Sequence, residues 1–198
     1  MIKKRLLQLS GSAGVVSGVL LILLDLAFII FFGDQPERVA AATTTWLILL
    51  DLSTIAAYLG LLALIGLYAR QAEETGRFGL TAFVVASFGT VMNIGFNWGG
   101  GFIVPALTSA APEFLDQVAE APPGIVAAGF ISTFALFALG WLLFGMASLK
   151  ANIFPALPLW LLIIGAILGL VSRIAGLGIP GVLFGVALAW LGWRLWRE

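Results

Sequence analysis

Two carboxylates sit inside long apolar runs, in the same five-residue setting. Ile22-Leu23-Leu24-Asp25-Leu26 and Ile48-Leu49-Leu50-Asp51-Leu52 both read ILLDL. An acid among leucines is costly in an apolar medium, about 2.5–3.5 kcal/mol at the centre of a membrane helix and less near its ends. Asn93 and Asn97 stand four residues apart, which places them on one helical face. Tyr58 follows Asp51 by two turns, and Arg173 is the one cation between Lys150 and Arg194. Carboxylates, amides, a phenol and a guanidinium can bind a cation or a small polar solute. They can also carry a proton, or clamp helices together. Which of these they do depends on the elements that hold them.

The composition restricts those elements. Of 198 residues, 61% are hydrophobic and 10% charged, against roughly 45–50% and 25% in soluble domains. This excludes a soluble globular domain and points to a polytopic membrane protein. Net charge is zero and no large basic cluster occurs, so nucleic acid is not an expected partner. Cysteine is absent, which excludes disulfides, thiolate metal sites and cysteine nucleophiles. Histidine is absent too, removing the usual haem, copper and zinc ligand and the usual base near neutral pH. No cofactor or metal is expected.

Six apolar spans follow, at about 9–32, 45–69, 78–98, 124–149, 158–175 and 179–193. Most have the roughly 20 residues that a bilayer core requires; the last two are the shortest. Backbone groups in lipid must be satisfied internally, so each span is expected to be helical. The first is too long for a secretory signal and reads as an uncleaved helix. The turn Gly33-Asp34-Gln35-Pro36 ends it, and the polar run 70–77 separates the second and third. Gly99-Gly100-Gly101 reads as a helix stop before an outer loop, 100–123. Thr108-Ser109-Ala110-Ala111-Pro112-Glu113 in that loop resembles the cap of a short surface helix. Eight of the ten Lys and Arg residues fall on one side, namely Lys3, Lys4, Arg5, Arg70, Arg77, Lys150, Arg194 and Arg197. Only Arg38 and Arg173 fall toward the other. The positive-inside rule then places both termini in the cytoplasm. Trp46 and Trp98 would mark the outer interface, and Trp160, Trp193 and Trp196 the inner one. The expected fold is a single all-α domain, 1–198, a transmembrane bundle of six helices.

In this topology Asp25 and Asp51 have equal depth, roughly 8–10 Å beneath the outer surface at 1.5 Å per residue. Asn93, Asn97 and Arg173 are expected near the same level. Asp25 shares a face with Gly11, Gly14 and Gly18, and Asn93 and Asn97 share one with Gly89. Arg173 shares one with Gly165 and Gly169, and Asp51 shares one with Thr54 and Tyr58. Small residues mark faces where membrane helices approach closely, so the polar layer is expected to face inward. Two carboxylates against one guanidinium leave a charge of −1 when all are ionised. A proton, a cation or water must then complete the layer. The ligand-binding set read from the sequence is Asp25, Asp51, Tyr58, Asn93, Asn97 and Arg173.

Three functions fit this layer. The leading one is a small non-enzymatic membrane protein with an outward-facing polar pocket, acting in binding or as an accessory. Its partners would be the bilayer, a small polar or cationic ligand, and a second copy or another membrane protein. The second is a small secondary transporter in which an intramembrane Asp couples to protons or cations. The third is an intramembrane enzyme using the two Asp residues as acid and base. Against all three stands a structural ion pair, in which Asp25 and Asp51 clamp the bundle through Arg173 or Arg38. The Gly14-x-x-x-Gly18 and Gly181-x-x-x-Gly185 motifs read mainly as packing within the chain, with a dimer face as the alternative. Two carboxylates and two amide oxygens are a thin set for Ca²⁺ or Mg²⁺.

The last third carries Phe154-Pro155-Ala156-Leu157-Pro158-Leu159-Trp160, then IIGAILGL, and closes on Ala189-Trp190-Leu191-Gly192-Trp193-Arg194-Leu195-Trp196-Arg197. It resembles small six-helix bacterial integral membrane proteins grouped as a family of unknown function. The resemblance implies a multi-pass protein of the bacterial plasma membrane. It supplies no catalytic residue.

Overall fold

The apolar runs satisfy their backbone groups within themselves. The computed structural model describes residues 2–33, 35, 37–175 and 181–198; among them are seven helices and no strand. These are α1 (Ile2–Phe32), α2 (Glu37–Ala41), α3 (Thr44–Ala110), α4 (Pro112–Glu120), α5 (Gly124–Ala151), α6 (Ala156–Ala175) and α7 (Val182–Trp196). Three stretches are long and apolar enough to cross a membrane, Lys4–Phe32, Thr44–Ala110 and Gly124–Ala151. The protein is all-helical and its long helices are membrane-span-like.

α3 is two helices in one. At Gly76 the backbone takes φ 56° and ψ −146°, which a side chain strongly disfavours, and the chain folds back. The arms 44–75 and 77–110 then run antiparallel. Tyr68 stacks on Phe83 with centroids 4.4 Å apart near the turn. Trp46 Nε1 donates to the Gly100 carbonyl at 3.0 Å near the far end.

Several sequence-derived boundaries shift. The polar run after Ala69 stays helical as far as Gly76, because Arg70-Gln71-Ala72-Glu73-Glu74 are mostly good helix formers. The basic stretch before residue 9 joins α1 for the same reason. Gly99-Gly100-Gly101 does not stop the helix, which continues to Ala110 through Pro105. Each glycine costs a helix roughly 1 kcal/mol. Here Gly100 admits the opposite arm, since a Cβ there would stand 3.0 Å from Leu50 Cδ1, and Gly101 lies beside Asp51, where a Cβ would make an ordinary 3.5 Å contact with Oδ1. The expected outer loop is therefore largely helix. α4 begins with Pro112 in its first turn and Glu113 beside it, although Ala111 supplies no side-chain cap. The boundary expected between 175 and 179 lies outside the described residues, as does the side chain of Arg38.

α1 lies between α7 and the first arm of α3; the second arm packs on α5, α5 on α6, and α6 on α7. Glycines set the closest approaches. A Cβ at Gly14 would meet Gly192 Cα at 3.0 Å, and one at Gly185 would meet the Gly18 carbonyl at 2.8 Å. One glycine of each GxxxG motif, Gly18 and Gly185, thus meets the other inside one chain, while Gly14 packs on Gly192. Leu64, Trp141, Phe144, Leu162, Leu188 and Leu191 form a fully buried core toward the end where the chain begins and ends.

That end gathers the start of α1, the Gly76 turn, the α5–α6 connection and the end of α7. Arg70 pairs with Glu198 there, and Lys150 Nζ sits 5.1 Å from the Phe78 ring centroid. Buried Gln71 donates through Nε2 to Ser148 Oγ at 2.7 Å. The eight Lys and Arg residues that the sequence assigns to one side all belong to these segments.

Candidate functional site

The register of α1 against α3 fixes the level of the two acids. Ser17 Oγ donates to the Ala56 carbonyl at 2.7 Å, Gly60 faces Ser17, and Gly14 faces Ala63. Continued along these antiparallel helices, the register sets Asp25 level with Asp51 and Leu52. Each acid lies seven residues from its helix end, about 10 Å along the axis. The aromatic rings of Phe28, Phe32 and Trp46 cover this end; Trp46 meets Phe28 and Phe32 edge-on at 5.8 and 5.7 Å.

The acids have different neighbours. Asp25 lies on the glycine face of α1 and reaches the first turn of α7. Its Oδ2 accepts from the Gly181 backbone N–H at 2.6 Å. A carboxylate here satisfies a free N–H of α7 and meets the positive end of the helix dipole. Gly181 permits the approach, since a Cβ there would stand 2.7 Å from Oδ2. Asp51 instead turns toward the second arm of α3, beside Gly101. It is half-buried, and among the described residues it forms no ion pair or side-chain hydrogen bond. Leu24, beside Asp25 in sequence, forms an apolar cluster with Leu49 and Ala56, and Leu52 and Phe28 pack against it.

The amides lie deeper than the acids. Because α3 runs on past the glycines, Gly101, not Asn97, is level with Asp51. Asn97 is one turn deeper, opposite Thr54, and Asn93 another turn deeper, opposite Tyr58. Asn97 is buried and Asn93 half-buried, on the face that also carries Thr90 and Gly101. Thr90 Oγ1 ends this polar ladder by accepting from Trp141 Nε1 at 3.1 Å. Tyr58 does not join the layer. It is 54% exposed and lies on the outward face with Ile48, Ile55 and Ile65. Asp51 shares that stripe, one turn from Ile48 and Ile55, yet is half-buried because its short side chain reaches Gly101 on the second arm. Arg173 lies in the last turns of α6, and its side chain is outside the described residues.

Sequence reasoning did not find the α7 partner of Asp25, the Trp46–Gly100 bond or the aromatic cover. The i, i+4 spacing of Phe28 and Phe32 was the available signal for the cover. No group of three or more His, Cys, Asp or Glu residues that could hold a metal occurs among the described residues. Comparison with protein-family models, with curated proteins and with solved structures finds no match.

Proposed function

We propose that the chain is a six-span membrane protein of the bacterial plasma membrane with both termini cytoplasmic. Its function is to bind a small cationic or polar solute from the outer side, without catalysis. The six spans would be α1, the two arms of α3, α5, α6 and α7. The basic residues gathered at one end support the orientation. The C-terminal resemblance to small bacterial six-helix proteins supports the location.

The observation that carries the binding role is Asp51, a half-buried carboxylate within an apolar span that has no partner among the described residues. Such a charge is costly near hydrocarbon unless a cation, a proton or water meets it. Gly101 leaves space beside it, Asn97 and Asn93 continue the polar face inward, and the Phe28–Phe32–Trp46 rings stand above. Aromatic faces attract cations. Asp25 has the structural share of the repeated motif, joining α1 to α7. A secondary transporter would use the same acid but would need a path past Trp141 and the leucine core. The observations give that reading no support of their own.

The test is thermal unfolding of the purified protein in detergent with Na⁺, K⁺, Ca²⁺ and a set of small alkyl amines. Wild type should gain stability with at least one cation, and Asp51→Asn should lose that gain. A set of cations that shifts neither protein would sink the binding role. Uptake of the stabilising cation into proteoliposomes, abolished by Asp51→Asn, would favour transport over simple binding.

A further inference from the structure

At the basic end, a surface cavity of about 470 Å³ opens between the 152–155 connection and the end of α7. One wall is Asn152 to Pro155. The other carries Arg194, Arg197 and Glu198. The connection takes its shape from Asn152, which ends α5 in the left-handed conformation (φ 52°, ψ 31°). Phe154 is buried and anchors it.

Charge makes this cavity selective. Arg194 and Arg197 are one turn apart on α7, so their guanidinium groups share a face. Neither has a carboxylate partner among the described residues. Arg197 Cζ sits over the Trp193 ring, 3.7 Å from its centroid, a contact that holds the guanidinium without neutralising it. The one acid on the wall, Glu198, is paired with Arg70. α6 begins at Ala156, directly after Pro155 on the wall, so the positive end of its dipole lies beside the cavity. Two unpaired guanidiniums and a helix N-terminus around one cavity suit a planar or tetrahedral oxyanion, and guanidinium geometry favours phosphate.

The surroundings indicate where the phosphate comes from. Trp160, Trp193 and Trp196 are exposed at this level, as aromatic side chains are where hydrocarbon meets headgroups. Leu157, also exposed, continues the apolar surface from the cavity mouth. We infer that the cavity is a phosphate-binding site at the basic membrane interface, occupied by the headgroup of an anionic phospholipid. The site is independent of the acid layer at the other end.

The experiment is thermal unfolding of the full chain in a neutral detergent. The additives are phosphatidylglycerol, phosphatidylcholine at the same mole ratio, and sodium phosphate. The variants are Arg194→Gln, Arg197→Gln and, as a control, Arg77→Gln at the Gly76 turn. Phosphatidylglycerol should raise the wild-type Tm by about 5 °C, and phosphatidylcholine by much less. Arg194→Gln should fold normally, since the exposed Arg194 side chain has no ion-pair partner among the described residues, and should lose most of the rise. Arg77→Gln should keep it. If sodium phosphate alone reproduces the rise and Arg194→Gln abolishes it, the site stands with a soluble phosphate as its ligand. An anionic-lipid rise equal in all four proteins, or no rise in wild type, overturns the site and leaves only diffuse surface charge.

Discussion

At the scale of single residues, the two copies of one motif separate into two roles. Asp25 accepts a charge-assisted hydrogen bond from α7, and such bonds contribute about 1.5–3 kcal/mol. Asp25→Ala should destabilise the protein by about that amount in detergent unfolding. Asp51→Ala should be neutral or stabilising, because it removes a half-buried carboxylate that no described residue pairs with. Equal losses in both variants would return the motif to a symmetric structural clamp. A second residue-level test concerns the basic half. Gln71 is fully buried, and its Oε1 has no partner among the described residues while Nε2 donates to Ser148. Ser148→Ala leaves that donor without an acceptor and should cost about 1–3 kcal/mol. The double variant Gln71→Met with Ser148→Ala removes both partners and should recover most of the loss. A double variant less stable than Ser148→Ala alone would show that the amide contributes through packing. The level of the acids was legible from the sequence, because any antiparallel hairpin brings the two ILLDL copies to one depth. The Gly181 N–H that donates to Asp25 was not, because no side-chain pattern encodes a backbone donor.

At the scale of elements, glycine explains both the successes and the errors of the sequence reading. Gly14, Gly18 and Gly185, read from the sequence as packing residues within the chain, lie where α1 and α7 approach, because close approach of two helices requires small residues. The same reasoning fails at Gly99-Gly100-Gly101. A run of glycines is a helix stop only where nothing is gained by continuing, and here Leu50, Asp51 and Trp46 pack or bond against it. That error placed Asn93 and Asn97 too near the surface. Gly76 provides the separating test. A Cβ there would meet no atom within 4 Å, yet φ is 56° with ψ −146°. Gly76→Ala should therefore cost about 1–3 kcal/mol through backbone strain alone. Gly95 also has open space but lies in ordinary helix. Gly95→Ala should be neutral or stabilise by up to about 1 kcal/mol. Chemical unfolding of the two variants side by side measures the difference, and equal effects would mean that the hairpin turn does not hold the geometry described.

At the scale of the whole molecule, topology and charge must agree for the proposed orientation to hold. Positive loops resist translocation, and eight of ten Lys and Arg residues occupy segments that meet at one end of the bundle. The Gly76 turn and the end of α7 share that end, as the Arg70–Glu198 pair requires. α4 follows the far end of α3 and belongs to the opposite face. The sequence contains no cysteine, so each introduced cysteine is a single reporter. In intact bacterial cells, a membrane-impermeant maleimide should label Glu113→Cys in α4. It should leave Glu74→Cys at the hairpin turn and Arg197→Cys unlabelled until the membrane is opened. Labelling of Glu74→Cys and Glu113→Cys from the same side would mean that the arms of α3 do not each cross the bilayer. The six-span topology would then fail, along with the outward placement of Asp51. Labelling of Glu74→Cys and Arg197→Cys but not Glu113→Cys in intact cells would keep the six spans and invert them. Asp51 would then face the cytoplasm, and the basic cavity would open outward.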